Sequence, residues 1–166
     1  MNSHNWVGGL INLKRQANEN FAYQIGADLR YYKGIHYRRV DNLLGADGYR
    51  DFDKYDRKSN GAVITQEISH KDWGNLWNVF GSTDDDPKID YHNDGLVSWQ
   101  GLFGQAEYVT DTYSVFVQGS VANQGFQRID YFRYAPNDPM HKSENKNILG
   151  GTIKACLLYT SPSPRD

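Results

Sequence analysis

Between Phe21 and Tyr37 the chain alternates strictly between two kinds of side chain. The odd positions carry Phe21, Tyr23, Ile25, Ala27, Leu29, Tyr31, Lys33, Ile35 and Tyr37, an apolar and aromatic series broken by one lysine. The even positions carry Ala22, Gln24, Gly26, Asp28, Arg30, Tyr32, Gly34 and His36, which are mostly small, polar or charged. Such alternation predicts a β-strand with one oily face and one wet face. A helix fails, because Phe21, Tyr23, Ile25 and Leu29 do not share one helical face. The strand also exceeds the ~5–6 residues usual in a soluble sheet. Its aromatics gather at the two ends of the apolar face, Phe21 and Tyr23 at one, Tyr31 and Tyr37 at the other. Transmembrane β-barrel strands have this form, with aromatic girdles at both membrane interfaces.

The same pattern recurs along the chain. Trp6–Leu13 predicts a first strand, with Val7, Gly9, Ile11 and Leu13 on one face, and residues 14–20 a short polar turn. The long strand runs from Phe21 to about Val40, so the two form an antiparallel hairpin. Residues 41–95 are polar and rich in Asp, Asn and Gly, and predict a long loop. Within it Ala62–Ile68 predicts a short strand and Asp72–Phe80 a helical turn capped by Asp72. Leu96–Val109 returns as a strand, with Leu102, Gly104, Ala106 and Tyr108 opposite Phe103, Gln105 and Glu107. After a tight turn at 110–112, Tyr113 to about Phe132 predicts another long strand. Its odd residues Tyr113, Val115, Val117, Gly119 and Val121 are set for lipid, and Ser114, Gln118, Ser120 and Gln124 for a lumen, with Phe116 an exception. A shorter loop at 133–146 leads to a fifth strand from Ile148 to Ala155.

Connections therefore alternate short, long, short, long. In outer-membrane barrels the short turns are periplasmic and the long loops extracellular. The predicted fold is all-β: an open antiparallel meander of about five long strands, a fragment of a transmembrane β-barrel with long extracellular loops.

Composition adds limits. The chain has 166 residues, 12 of them Tyr, and a net charge of -2, so no basic excess exists to attract nucleic acid. No apolar run approaches the ~20 residues of a membrane helix, but a barrel hides its membrane signal in alternation. No export signal precedes Trp6, so the chain is expected either to be cytosolic or to lack its true start. Residues 156–166, Cys-Leu-Leu-Tyr-Thr-Ser-Pro-Ser-Pro-Arg-Asp, shift composition abruptly and hold the single Cys. They resemble the translation of a transposase-type sequencing adapter and are read as read-through, not native sequence. Residues 1–155 are then the genuine part, and Cys156 says nothing about redox compartment.

Ala27-Asp28-Leu29-Arg30-Tyr31-Tyr32-Lys33-Gly34-Ile35-His36-Tyr37, Asn42-Leu43-Leu44-Gly45, Gly101-Leu102-Phe103-Gly104-Gln105-Ala106-Glu107-Tyr108 and Phe116-Val117-Gln118-Gly119-Ser120-Val121-Ala122-Asn123-Gln124-Gly125 carry a likeness. Together with Asn93-Asp94-Gly95 they resemble the barrel of TonB-dependent outer-membrane receptors, of the Bacteroidota type whose precursors begin with a carboxypeptidase-regulatory-like domain. The resemblance covers nearly all of residues 4–155. It implies energised nutrient uptake at the cell outer membrane, with a siderophore, glycan or peptide as the class of ligand. It also implies partners: outer-membrane lipid, a plug domain and the remaining barrel strands, and the TonB complex reached through an N-terminal part this chain does not hold. The alternatives are a passive porin-type barrel and a soluble β-rich carbohydrate-binding module.

Site candidates are few. Asp28, Arg30 and Arg128 are expected on the lumen face, where they meet plug or ligand or serve wall solvation and cross-strand pairing. Loop aromatics Trp73, Trp77, Phe80 and Tyr91 are candidates for stacking on a small ligand, against loop self-packing. Asp84-Asp85-Asp86 offers hard oxygen ligands, but acidic runs are ordinarily solvated. Asp90–Gly95 suggests a calcium loop and fails, with His92 third and Gly101 twelfth in place of a ligating Glu. No His-Glu-x-x-His, Cys-x-x-Cys, Gly-x-Ser-x-Gly or phosphate-cradling Gly loop is present. No enzyme, cofactor or metal is therefore expected.

Overall fold

The structure, a computed structural model, describes residues 2–67 and 87–159. Among them the secondary structure is β-strand, and no helix is long and apolar enough to cross a membrane. Five long strands, Asn2–Gln16 (β1), Phe21–Arg38 (β2), Ile89–Val109 (β5), Tyr113–Asp130 (β6) and Lys146–Tyr159 (β7), form one antiparallel sheet in the order β1-β2-β5-β6-β7. Between β2 and β5 lie two short strands, Tyr49–Asp51 (β3) and Ala62–Ile64 (β4), paired antiparallel with Tyr49 opposite Ile64 and Asp51 opposite Ala62.

The short turns are held by their own side chains. Asn18 Oδ1 accepts the backbone N–H groups of Asn20 at 3.0 Å and Phe21 at 2.8 Å, an Asx turn that reverses the chain into β2. Thr110 Oγ1 accepts the Tyr113 N–H at 3.1 Å and donates to the Tyr113 carbonyl at 2.9 Å, closing the turn into β6. Asn20 joins the two: its amide donates to the Val109 carbonyl at 2.6 Å.

Glycine is required by close approach at Gly26. A Cβ there would lie 2.3 Å from the Phe103 ring and 2.7 Å from the Ile11 carbonyl oxygen. Phe103 thus fills the space a side chain would take, which places Phe103 and Gly26 on one face of the sheet. Gln105 shares that face, its amide reaching the Gln24 side chain at 3.5 Å. Leu102 and Ile25 take the opposite face, and both are exposed.

The chain divides into two compact units. The first comprises residues 1–7, 31–97 and 125–146; the second comprises 8–30, 98–124 and 147–166. The first has an interior. Val40, Ile64 and Ile89 form its buried cluster, with Leu43 and Ala62 packed against it. Among the described residues all six buried hydrophobic side chains, Ile35, Tyr37, Val40, Ile64, Ile89 and Phe132, belong to this unit. The second unit is a sheet without such an interior: Ile11, Ile25, Leu29, Leu102, Val117, Val121 and Ile153 are all exposed.

Four sequence expectations are corrected. The third long strand begins at Ile89, not Leu96, because the polar residues Asp90, His92 and Asp94 find partners on neighbouring strands and need no loop. The 41–95 segment holds a β-hairpin, of which only β4 is foreseen in the sequence and only as far as Ile64. Tyr37 is no interfacial girdle residue: it is 5% exposed, under Lys88 and against His92. β7 does not stop at Ala155 but runs through Cys156–Tyr159, whose apolar content continues the strand. The helical turn expected at Asp72–Phe80 lies outside the described residues.

Candidate functional site

The polar centre of the first unit is built where β2 and β5 run together. Alternation places His92 and Asp94 of β5 on one face, against Lys33 and Tyr37 of β2. Asp94 is 1% exposed and accepts an ion pair from Lys33 Nζ at 2.9 Å. Lys33 is the one lysine in the apolar series of β2, and its buried counter-charge explains it. Tyr131, just past β6, donates its hydroxyl to Asp94 Oδ2 at 3.0 Å. The other oxygen, Oδ1, is buried without a hydrogen-bond partner.

His92 Nε2 lies 3.9 Å from that oxygen, too far for a hydrogen bond. The imidazole is stacked on Tyr131, ring centres 4.7 Å apart, and set edgewise to Tyr37 at 6.3 Å. Burial lowers the His92 pKa from its ordinary value and outweighs the opposing pull of Asp94. The ring is therefore neutral at pH 7, and its proximity to Asp94 is not a salt bridge. Burial also pushes the Tyr131 phenol up to about 12, with the Asp94 charge adding to it, so Tyr131 remains a donor at neutral pH.

A second buried carboxylate organises the hairpin. Asp51 is 0% exposed and holds Arg57 Nη1 at 2.6 Å, while the same nitrogen donates to the Lys88 carbonyl at 3.1 Å. Asp130, 4% exposed, accepts the N–H groups of Phe132 at 3.0 Å and Arg133 at 2.9 Å and fixes the chain as it leaves β6. Each of these three buried carboxylates is thus paired or hydrogen-bonded, as burial demands. A cavity of about 370 Å³ opens beside these residues, with His92, Tyr131 and Phe132 in its wall.

The second unit carries two grooves. One, of about 580 Å³, is lined by Ile11, Leu13, Ile25, Leu102 and Val121. The other, of about 420 Å³, is lined by Asp28, Trp99, Phe103, Gln124 and Ile148 over the small residues Gly101 and Gly150.

Of the residues singled out from sequence, Asp28 and Arg30 are brought together, their charged groups 2.6 Å apart, and Arg30 is half exposed. Arg128 pairs in the same way with Asp130, two residues along β6. Both arginines thus pair with an aspartate two residues away on their own strand, not with a charge on a neighbouring strand. Tyr91 lies half-buried on β5. Trp73, Trp77, Phe80 and Asp84–Asp86 lie outside the described residues. Lys33, His92, Asp94 and Tyr131 are missed by motif reading; the signals were the lone lysine of β2 and the polar run that imitates a calcium loop. Among the described residues no three His, Cys, Asp or Glu gather closely enough to hold a metal ion. Compared with protein-family models, with curated proteins and with solved structures, the chain matches none.

Proposed function

We propose that the chain is a wall and extracellular-loop segment of a TonB-dependent outer-membrane receptor for energised nutrient uptake. The observation that carries the membrane part of this reading is the second unit. Its strands belong to elements of 14 to 21 residues, longer than the ~9–11 needed to cross a bilayer. Ile11, Leu13, Ile25, Leu29, Leu102 and Val121 stand exposed on one face, while Gln24, Gln105, Ser120 and Thr152 pair across strands on the other. In water an exposed apolar surface of this extent is a liability; against acyl chains it is what a barrel wall requires. The edges of the sheet support it too. β1 and β7 are long and largely exposed, without the shortening that protects edges of soluble sheets, and barrels remove such edges by closure. The strand sequences that resemble the receptor family favour a receptor over a passive porin.

Two measurements test the reading. Expressed alone in water, the chain is expected to aggregate, and to become monodisperse with β-sheet circular dichroism when refolded into detergent micelles. A monodisperse, cooperatively melting monomer in plain buffer would sink the wall reading in favour of a soluble module. Long-read sequencing of the gene is expected to place a plug domain and TonB box upstream in frame. A complete barrel frame without a plug would make it a porin.

A further inference from the structure

Two imidazoles of the first unit meet on the polar face of β2. Alternation puts Asn2 and His4 on one face of β1, and Tyr32, Gly34 and His36 on one face of β2. Side-chain bonds join the two sets across the strands. His4 Nδ1 and the Tyr32 hydroxyl are 2.6 Å apart, and His36 Nδ1 donates to Asn2 Oδ1 at 3.0 Å. His4 is stacked on Tyr32, ring centres 5.8 Å apart, and stands edgewise to His36 at 6.3 Å. A Cβ on Gly34 would lie 2.7 Å from the Tyr32 hydroxyl oxygen, so the glycine is what lets that hydroxyl lie over position 34.

Both hydrogen bonds are made at Nδ1, and neither uses Nε2. The Asn2 carbonyl oxygen can only accept, so in neutral His36 the proton is on Nδ1 and Nε2 is a bare lone pair. The Tyr32 hydroxyl can accept as well as donate, so His4 can take the same tautomer. Metal-ligating histidines are oriented in this way, one ring nitrogen held by a polar neighbour and the other on the ion. With nitrogen–metal bonds of ~2.0–2.1 Å, two imidazoles on one ion have ring centres up to roughly 6.5 Å apart. The observed 6.3 Å lies within that reach and needs no movement of the strands. His4 is exposed and His36 half-buried, so an ion can approach. No three ligand side chains gather among the described residues, which leaves the remaining positions to water.

We propose that His4 and His36 bind a divalent transition-metal ion through Nε2, with Tyr32 and Asn2 as positioning residues. Neutral imidazole favours such ions over calcium and magnesium, and copper(II) stands highest in the order of affinities. The inference stands on the first unit alone and does not rest on the membrane reading, so either can fail without the other.

The test is titration of the full chain with copper(II), nickel(II), zinc(II) and calcium(II) salts, in whichever of non-chelating buffer or micelles keeps it monodisperse. Binding is read by calorimetry and, for copper, by nitrogen hyperfine structure in electron paramagnetic resonance. One copper ion per chain is expected at micromolar concentration, with nickel and zinc about tenfold weaker and no heat from calcium. His4→Ala and His36→Ala are each expected to weaken copper by about tenfold or more and to remove one nitrogen from the resonance spectrum, with unchanged circular dichroism. Tyr32→Phe keeps both ligands, and should weaken copper about tenfold while the nitrogen count stays the same. Should an alanine variant misfold, His4→Gln and Tyr32→Phe carry the test. Unchanged copper binding in both histidine variants would place the ion elsewhere and overturn the proposal. Calcium bound as tightly as copper would mean oxygen ligands and overturn it as well. An unaltered affinity in Tyr32→Phe would overturn the positioning part, and no copper binding at millimolar concentration would overturn the whole.

Discussion

Leu29 and Ile35 sit on the same strand and on the same face of its alternation, yet they meet different surroundings. Leu29, in the second unit, is 57% exposed; Ile35, in the first, is 0% exposed. The contrast holds beyond this pair. The first unit contains every buried hydrophobic side chain among the described residues, and with them the buried charges Arg39, Asp51, Lys88, Asp94 and Asp130. The second contains neither. Alternation therefore assigns a residue to a face and leaves open what the face meets. Where protein covers the face, Lys33 enters beside Ile35 and is neutralised by Asp94. Where protein does not cover it, the side chains are Ile, Leu and Val with small residues between, which suits lipid.

The largest test of this contrast strikes the interior of the first unit. Asp94→Asn keeps the shape of the side chain and an acceptor for Tyr131, but strips the counter-charge from Lys33, whose side chain is only 14% exposed. Losing one partner of a buried pair costs about 3–5 kcal/mol. The expected loss is about 3 kcal/mol, since Lys33 keeps some access to water. It is read from guanidinium unfolding of the chain in micelles. The double variant Lys33→Met with Asp94→Leu should recover most of it, because both charges leave together. A loss below about 0.5 kcal/mol in the single variant would mean that the pair is solvated and that the two units do not differ in kind.

An effect of comparable size is expected in the second unit, and it depends on the medium. Leu29→Arg should cost up to about 2–4 kcal/mol when the chain is assembled in phospholipid vesicles, if position 29 lies near the bilayer midplane. In water the same change at an exposed position should stay within about 0.5 kcal/mol and improve solubility. Equal assembly of both proteins in vesicles would show that this face does not meet lipid. The second unit would then need a protein cover, and the contrast with the first would vanish.

Much of the architecture was legible because strand alternation and turn chemistry are local. The tight turns at 17–20 and 110–112 are set by Asn18 and Thr110, and five long strands follow from period-two patterning. The candidate site was not legible, for a reason that is equally physical. Asp-Tyr-His-Asn-Asp-Gly at 90–95 reads as loop because its residues ordinarily seek water. Here Lys33, Arg38 and Tyr131 take the place of water, and two of these come from β2, more than 50 residues earlier in the chain. No local pattern carries that information. The lone Lys33 on an apolar face was the one visible sign, since a cation there is costly without a partner to be found elsewhere.

The smallest effect belongs to the turn after β2. Leu44 and Gly45 both adopt positive φ, 54° and 87°, and Ala46 N–H closes on the Leu43 carbonyl at 3.0 Å. Two central residues of positive φ define a type I′ turn, for which Asn-Gly is the favoured pair. Leucine has no such preference; its Cβ makes the left-handed conformation cost about 1–2 kcal/mol. Nothing is recovered by packing, because Leu44 is 92% exposed. What holds it is a bond to its main chain: the side-chain Oδ1 of Asn42 accepts the Leu44 N–H at 2.6 Å. Leu44→Asn should therefore stabilise the first unit by about 0.5–1 kcal/mol, read as a raised unfolding midpoint with unchanged slope. It should leave vesicle assembly, a property assigned to the second unit, unaltered. A lowered midpoint would instead mean that the leucine side chain has a contact to lose, and that this exposed turn is covered in solution.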